Sequence, residues 1–193
     1  MIQPPNFIFL GLSGSGKGTQ EELLQTYLQP HYKMRIISTG KKFRELQDLP
    51  TAAGHRIKET LAVGDLLPEQ IAITLWLSDV MYTIEEDEGI IFDGSPRKIR
   101  EAEQMDEFLK FLGRFDETKV VYLSVSPEEV TRRLLGRKRG DDTEEGIKRR
   151  IQFFYDEVMQ TIEHYTSLGK LVEVSGENDP DTVHQNILKA LKL

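Results

Sequence analysis

The sequence predicts an α/β fold in which a parallel five-stranded sheet is covered by helices on both faces. Two observations carry this. Short apolar runs at residues 7–10, 35–37, 90–92, 120–125 and 171–174 are separated by stretches of helical periodicity, and strand alternating with helix builds a parallel sheet. Between the first run and the first helix lies a loop holding Gly11, Gly14, Gly16 and Gly18, a place where ligands rather than side chains fill space. Two stretches, 38–67 and 136–142, interrupt the alternation without adding a strand. Open sheets of this kind bind ligands above the carboxyl ends of their strands, and insertions there form part of the site.

Each element has a local cause. The run Phe7, Ile8, Phe9, Leu10 is short, apolar and closed by glycine, as a strand buried on both faces would be, and Leu23, Leu24 and Leu28 then recur at helical spacing. Ser126, Pro127 and Glu129 read as an N-cap, a first-turn proline and the reciprocal member of a capping box, opening a helix through Leu135. Asp179 and Pro180 open the last helix in the same way. At 193 residues the chain is one domain.

Composition excludes several functions. No apolar run approaches the ~20 residues that span a bilayer, and the opening MIQPPN lacks the basic and apolar regions of a signal peptide. A cytoplasmic protein without membrane contact is expected. Zero cysteines rule out disulfides and thiolate-built zinc, and His31, His55, His164 and His184 show no ligand spacing and are expected at the surface. No structural zinc is therefore expected. A net charge of −7 argues against nucleic-acid binding, so any polyanion must meet a local basic cluster.

The glycine loop supplies the chemistry. Glycine lets backbone N–H groups turn inward onto an anion, and the following helix N-terminus adds a favourable dipole. Gly14, Ser15, Gly16, Lys17, Gly18 and Thr19 would cradle phosphates as a P-loop, Lys17 placing a cation on the outermost phosphates and Thr19 a hydroxyl near magnesium. Gly18 stands where the strict motif has Ser or Thr. The strand 90–92 ends in Asp93, the position from which a P-loop protein holds magnesium, here through water. Gly94, Ser95 and Pro96 then turn tightly and present Arg97 for bidentate phosphate contact. Further on, Arg132, Arg133, Arg137, Lys138, Arg139, Arg149 and Arg150 concentrate positive charge in an acidic chain. Arg132, Lys138, Lys148 and Arg149 read as a solvated face balanced by Asp141, Asp142, Glu144 and Glu145. The others suit a cover over bound phosphates, which phosphoryl transfer needs to exclude water.

Five ordered stretches, "GLSGSGKGTQ", "STGKKFRE", "GDLLPEQI", "FDGSPRKIREAEQ" and "RKRGDDTEEGIKRRI", resemble the adenylate kinases among nucleoside monophosphate kinases, from about Phe7 to the C-terminus. The resemblance implies a P-loop kinase core, a helical arm for the monophosphate at about 38–67 and a short lid at about 136–142. It implies magnesium-dependent, reversible transfer from ATP to AMP giving two ADP, by a monomer. Thr39, Gly40, Arg44, Gly64, Asp65, Leu66, Leu67, Gly94, Arg97 and Glu101 would form the AMP site. Arg133 would stack on the ATP base, with Arg137 in the lid, while Lys17, Arg97, Arg139 and Arg150 would act on the transferred group and Asp141 would pair with the lid arginines. Catalysis would be alignment and charge stabilisation without a covalent intermediate.

Three departures from the family's pattern stand out: Lys41 for an aspartate, Ser95 for an aromatic, and Glu101 for the glutamine that reads the AMP base. An ionised glutamate only accepts hydrogen bonds, so it suits adenine N6 and repels N1. Glu101 therefore loosens base discrimination, is assisted by Gln104, or faces away against a lysine or arginine. AMP is the expected acceptor, because Thr39 stands where the similar pyrimidine kinases tend to have alanine. The alternatives are a kinase for UMP, CMP or GMP, and a catalytically silent nucleotide sensor, against which Lys17, Arg97, Arg139 and Arg150 speak.

Overall fold

The computed structural model describes residues 4–63, 65, 67–137 and 142–193. The sheet has the order β2-β3-β1-β4-β5, and every neighbouring pair is parallel. Its strands are β1 (Asn6–Leu10), β2 (Lys33–Ser38), β3 (Glu88–Asp93), β4 (Thr118–Ser124) and β5 (Leu171–Ser175). All five apolar runs became strands, extended by one to three residues, most of them polar. Val125 is the exception, lying just beyond β4.

β1 is central and buried throughout, and its alternation divides the core. Phe7 and Phe9 face one side with Ile91, Val121 and Leu123, under α1 (Lys17–Leu28) and α9 (Pro180–Leu191). Ile8 and Leu10 face the other with Ile90 and Phe92, under α4 (Glu69–Thr83), α5 (Ile99–Phe111) and α8 (Met159–Ser167). Trp76, Met105, Leu109 and Tyr165 seal that second layer.

Between β2 and α4 stand α2 (Thr39–Gln47) and α3 (Ala52–Ala62), capped by Ser38, which accepts from the Lys41 N–H, and by Thr51, which accepts from the Gly54 N–H. After β4 come α6 (Pro127–Arg137) and α7 (Glu144–Phe153), the latter passing through a π-helical turn at Phe154–Val158 into α8.

Asp179 caps α9 as expected, accepting from the Thr182 N–H at 3.0 Å. The box at Ser126 is only half formed. Ser126 accepts from the Glu129 N–H at 3.4 Å, but the Glu129 carboxylate is taken by Arg132 and Arg133, and Glu177 instead accepts from the Ser126 N–H. A charged partner displaces the reciprocal bond. Two of the four histidines also depart from expectation, while His31 and His55 are exposed as expected. His164 pairs with buried Asp106 at 2.8 Å, and His184 is buried on the inner face of α9, where burial lowers its pKa.

Candidate active site

The chain leaves β1 at Leu10 and re-enters helix at Lys17, with Gly16 as N-cap in the left-handed region at φ 99°. A glycine cap has no side chain to satisfy the helix's first N–H groups, and the first turn of α1 carries no acid. Those donors and the helix dipole are therefore directed at the loop's concavity, an anion site by construction. Gly14, at φ 89°, is required sterically as well: a Cβ there would lie 2.8 Å from Leu134 Cγ on α6. Lys17 Nζ donates to the Gly11 and Leu12 carbonyls at 2.9 and 3.0 Å. Burial lowers its pKa, Asp93 and Glu21 oppose that shift, and Arg97 and Arg137 add to it. Lys17 thus lies in the field of charges from β3, α1, the β3–α5 turn and α6. Thr19 and Gly18 are exposed on the first turn of α1.

Asp93 closes β3, in register with Phe9 of β1 and Ser38 of β2, at the carboxyl edge of the sheet. The Ser38 hydroxyl donates to Asp93 Oδ2 at 2.6 Å and orients the carboxylate. Sequence reading passed over Glu21, which is 1% exposed on α1. Burial first, and then the Asp93 charge, push its carboxyl well above the usual range. The EELLQ stretch of α1 gave no signal that this acid points inward.

The β3–α5 turn carries the next group. The Ser95–Pro96 peptide is cis. Arg97 Nε donates to the Gly94 carbonyl at 2.9 Å, and the Thr39 hydroxyl, wholly buried, donates to the same carbonyl at 3.1 Å while accepting from Ser95. Ser95, one of the departures, thereby ties α2 to the turn. Glu101 Oε2 accepts the Arg97 N–H at 2.7 Å. No lysine or arginine side chain among the described residues pairs with it, so of the three alternatives the outward ion pair fails. Instead Glu101 lines a cavity of about 40 Å³ together with Phe43, Leu67, Gly94 and Arg97. Gly40 and exposed Arg44 lie on α2 with Phe43, though neither lines the cavity, and exposed Asp65 follows α3. Gly64 and Leu66 lie outside the described residues.

On α6, Arg133 donates to the Gly176 carbonyl at 2.9 Å and leans on the loop through the Ser15 carbonyl at 3.4 Å. Arg137 grips Asp142 through Nε and Nη2, at 2.9 and 3.0 Å, and Arg150 reaches the same carboxylate at 2.8 Å. The Asp142 side chain has no exposure; burial opposes ionisation, but the two arginines hold its carboxyl below the usual range. Sequence reading placed Asp142 on the solvated face, yet it is the acid that joins Arg137 to Arg150. Arg139 and Asp141 lie outside the described residues, as does Lys138. Arg132 and Arg149 are exposed, as expected; Arg149 pairs with Glu145, one of the expected acids, whereas Arg132 pairs with Glu129 on its own helix.

A wide groove of about 2100 Å³ lies at the amino ends of the strands between Tyr27, Lys33, Tyr82 and Phe111, and touches none of these residues. Among the described residues no helix is long and apolar enough to cross a membrane.

A glycine loop between a central parallel strand and an uncapped helix, with a lysine in the loop and an acid on the adjacent strand, defines a P-loop nucleotide-binding protein. Over residues 9–170 the chain matches the family described as Adenylate kinase. It is 32% identical to an adenylate kinase of Dehalococcoides mccartyi, across 97% of this chain and 98% of that one. It is 34% identical to adenylate kinase 1 of a Nostoc species, across 95% and 97%, and 35% identical to an adenylate kinase of Azobacteroides pseudotrichonymphae, across 96% of each. The chain belongs to the adenylate kinase family, a family of phosphotransferases.

Proposed function

We propose that this chain moves the γ-phosphoryl group of ATP reversibly to AMP, giving two ADP, as a cytoplasmic monomer that supplies the whole site from one chain. The setting of Lys17 carries the reading: its ammonium sits on the P-loop within the combined field of Asp93, Arg97 and Arg137. Cations from three elements close enough to feel one another suit a transition state whose charge spreads over phosphoryl oxygens.

In this reading Gly14, Ser15, Gly16, Lys17, Gly18 and Thr19 hold the ATP phosphates, and Arg133 and Arg137 hold the donor from α6. Thr39, Gly40, Arg44, Gly64, Asp65, Leu66, Leu67, Gly94, Arg97 and Glu101 hold AMP. Arg97, Arg139 and Arg150 gather the phosphoryl oxygens as an AMP phosphate oxygen attacks in line. An oxygen-only set, the Asp93 carboxylate oriented by Ser38 and the exposed Thr19 hydroxyl, fits magnesium, which takes few protein ligands besides phosphate and water. Once bound with ATP, magnesium supplies charge neutralisation at the phosphate oxygens. Residues 38–67 act as the arm and 136–142 as the lid, their closure excluding water.

An assay with ATP and each of AMP, GMP, UMP and CMP tests this. AMP should have the highest kcat/KM. GMP leading would overturn the acceptor, and binding without turnover of any acceptor would make the chain a sensor. An inhibitor joining two adenosines through five phosphates should protect 136–142 and part of 38–67 from hydrogen exchange. Tight binding without protection of either would refute closure.

A further inference from the structure

Glu101 stands in an unusual state. It is 2% exposed, its Oε2 has the Arg97 N–H, and its Oε1 has no hydrogen-bond partner among the described residues. An anion so poorly solvated is costly. The nearby cations are turned elsewhere, the Arg97 guanidinium toward the Gly94 carbonyl and Arg100 toward Glu69 at 3.3 Å. The other ionisable groups around it are Lys98 and Glu69, which line the same cavity, Asp106 on its own helix, and Tyr165 of α8, whose phenol feels the charge of both Glu101 and Asp106. Burial raises the Glu101 pKa, although the Arg97 N–H, the Ser95 hydroxyl, the Arg97 charge and the Trp76 indole all pull the other way.

We propose that Glu101 meets the acceptor base as a neutral carboxylic acid, one oxygen donating to an unprotonated ring nitrogen and the other accepting from the adjacent exocyclic amine. This rests on reading the cavity as part of the AMP site. Adenine offers that edge at N1 and N6. Guanine and uracil carry N–H at the corresponding ring position and suit the ionised form instead. A neutral Glu101 does for adenine what an amide does, with a proton that can leave. The donor exists below the pKa of Glu101 and is lost above it. At about 40 Å³ the cavity admits a water and not a purine. A base enters only as Phe43 and Leu67 withdraw, and until then the acid stays dry.

The test is equilibrium binding of AMP and GMP to wild type and Glu101→Gln from about pH 5.5 to 8.5, with up to about tenfold change per pH unit expected above the Glu101 pKa. In wild type the AMP-to-GMP affinity ratio should fall as pH rises, a ratio in which titration of the nucleotide phosphate cancels. In Glu101→Gln it should be flat. The single tryptophan, Trp76, gives a reading without ligand: its fluorescence should titrate in wild type and not in the variant. A pH-independent ratio in wild type, or the same slope in both proteins, overturns the proposal while leaving AMP as the acceptor. If neither protein binds AMP at any pH although ATP binds, the acceptor reading itself has failed.

Discussion

The glycine loop proposed to hold the donor and the helical arm proposed to hold the acceptor stand at the same edge of one sheet and are built in opposite ways. The loop grows from a strand whose every residue is buried, is wedged at Gly14 against Leu134, and has its lysine tied to two of its own carbonyls. In the arm, α2 and α3 bury only Thr39, Phe43, Gly54 and Ile57, while Lys41, Arg44, His55 and Arg56 face solvent. Local opening costs follow buried apolar contact. The half proposed to fix a phosphate is therefore inseparable from the core, and the half proposed to close can move without disturbing it.

Four experiments would break or sharpen that contrast. The largest effect is expected from Lys17→Ala, which should keep the melting temperature yet lose about 2.7 to 4 kcal/mol of transition-state stabilisation, read as a fall in kcat. Near-normal turnover would detach the loop from the chemistry. Gly54→Val attacks the arm alone. Any Cβ there meets the backbone carbonyls of Leu46 and Leu49, which cannot give way. Overpacking of about 1 to 3 kcal/mol should appear as faster hydrogen exchange in α2 and α3 and weaker AMP binding, with ATP binding kept. Equal loss of both nucleotides would mean that arm and core are one unit.

Asp142→Asn tests the tie between α6 and α7. Arg137 and Arg150 are 32% and 18% exposed, so the loss should be about 1 to 2 kcal/mol, below that of a fully buried pair. The Asp142 carboxyl is held below its unfolded value, so its contribution is complete above that value and disappears as pH falls through the folded one. The melting gap between wild type and variant should close in acid; a gap that persists there would point to shape rather than charge. The smallest effect is a gain. Glu21 is held above its unfolded value, so its contribution is complete in acid and lost as pH rises. Glu21→Gln should stabilise by about 1 kcal/mol at neutral pH, the scale of one unsatisfied buried polar atom, and by nothing near pH 4.

The same contrast explains what the sequence made legible. Strands and the phosphate loop were readable because their causes are local: an apolar run, a glycine at positive φ, a lysine at fixed spacing. Asp179 announced its helix for the same reason. Long-range partners were not readable. Nothing near Asp142 distinguishes it from Asp141, Glu144 or Glu145; what sets it apart is that Arg137 and Arg150 arrive from two helices to bury it. Glu129 follows the capping pattern until two arginines on its own helix compete for its oxygens. His164 looked like a surface residue because Asp106 lies 58 positions away. Glu101 was treated as ionised, since charge state depends on burial, which no single residue reveals.

The ties between Lys17 and its own loop have one further consequence. Its ammonium is already engaged when a nucleotide arrives, so contact with the ligand exchanges partners instead of adding them. A short anion that offers Lys17 a single oxygen gives back about what it takes away. On the proposed reading, only a ligand long enough to fill the loop's N–H groups as well as reach the lysine would come out ahead, which would make this loop a gauge of phosphate chain length before any base is read.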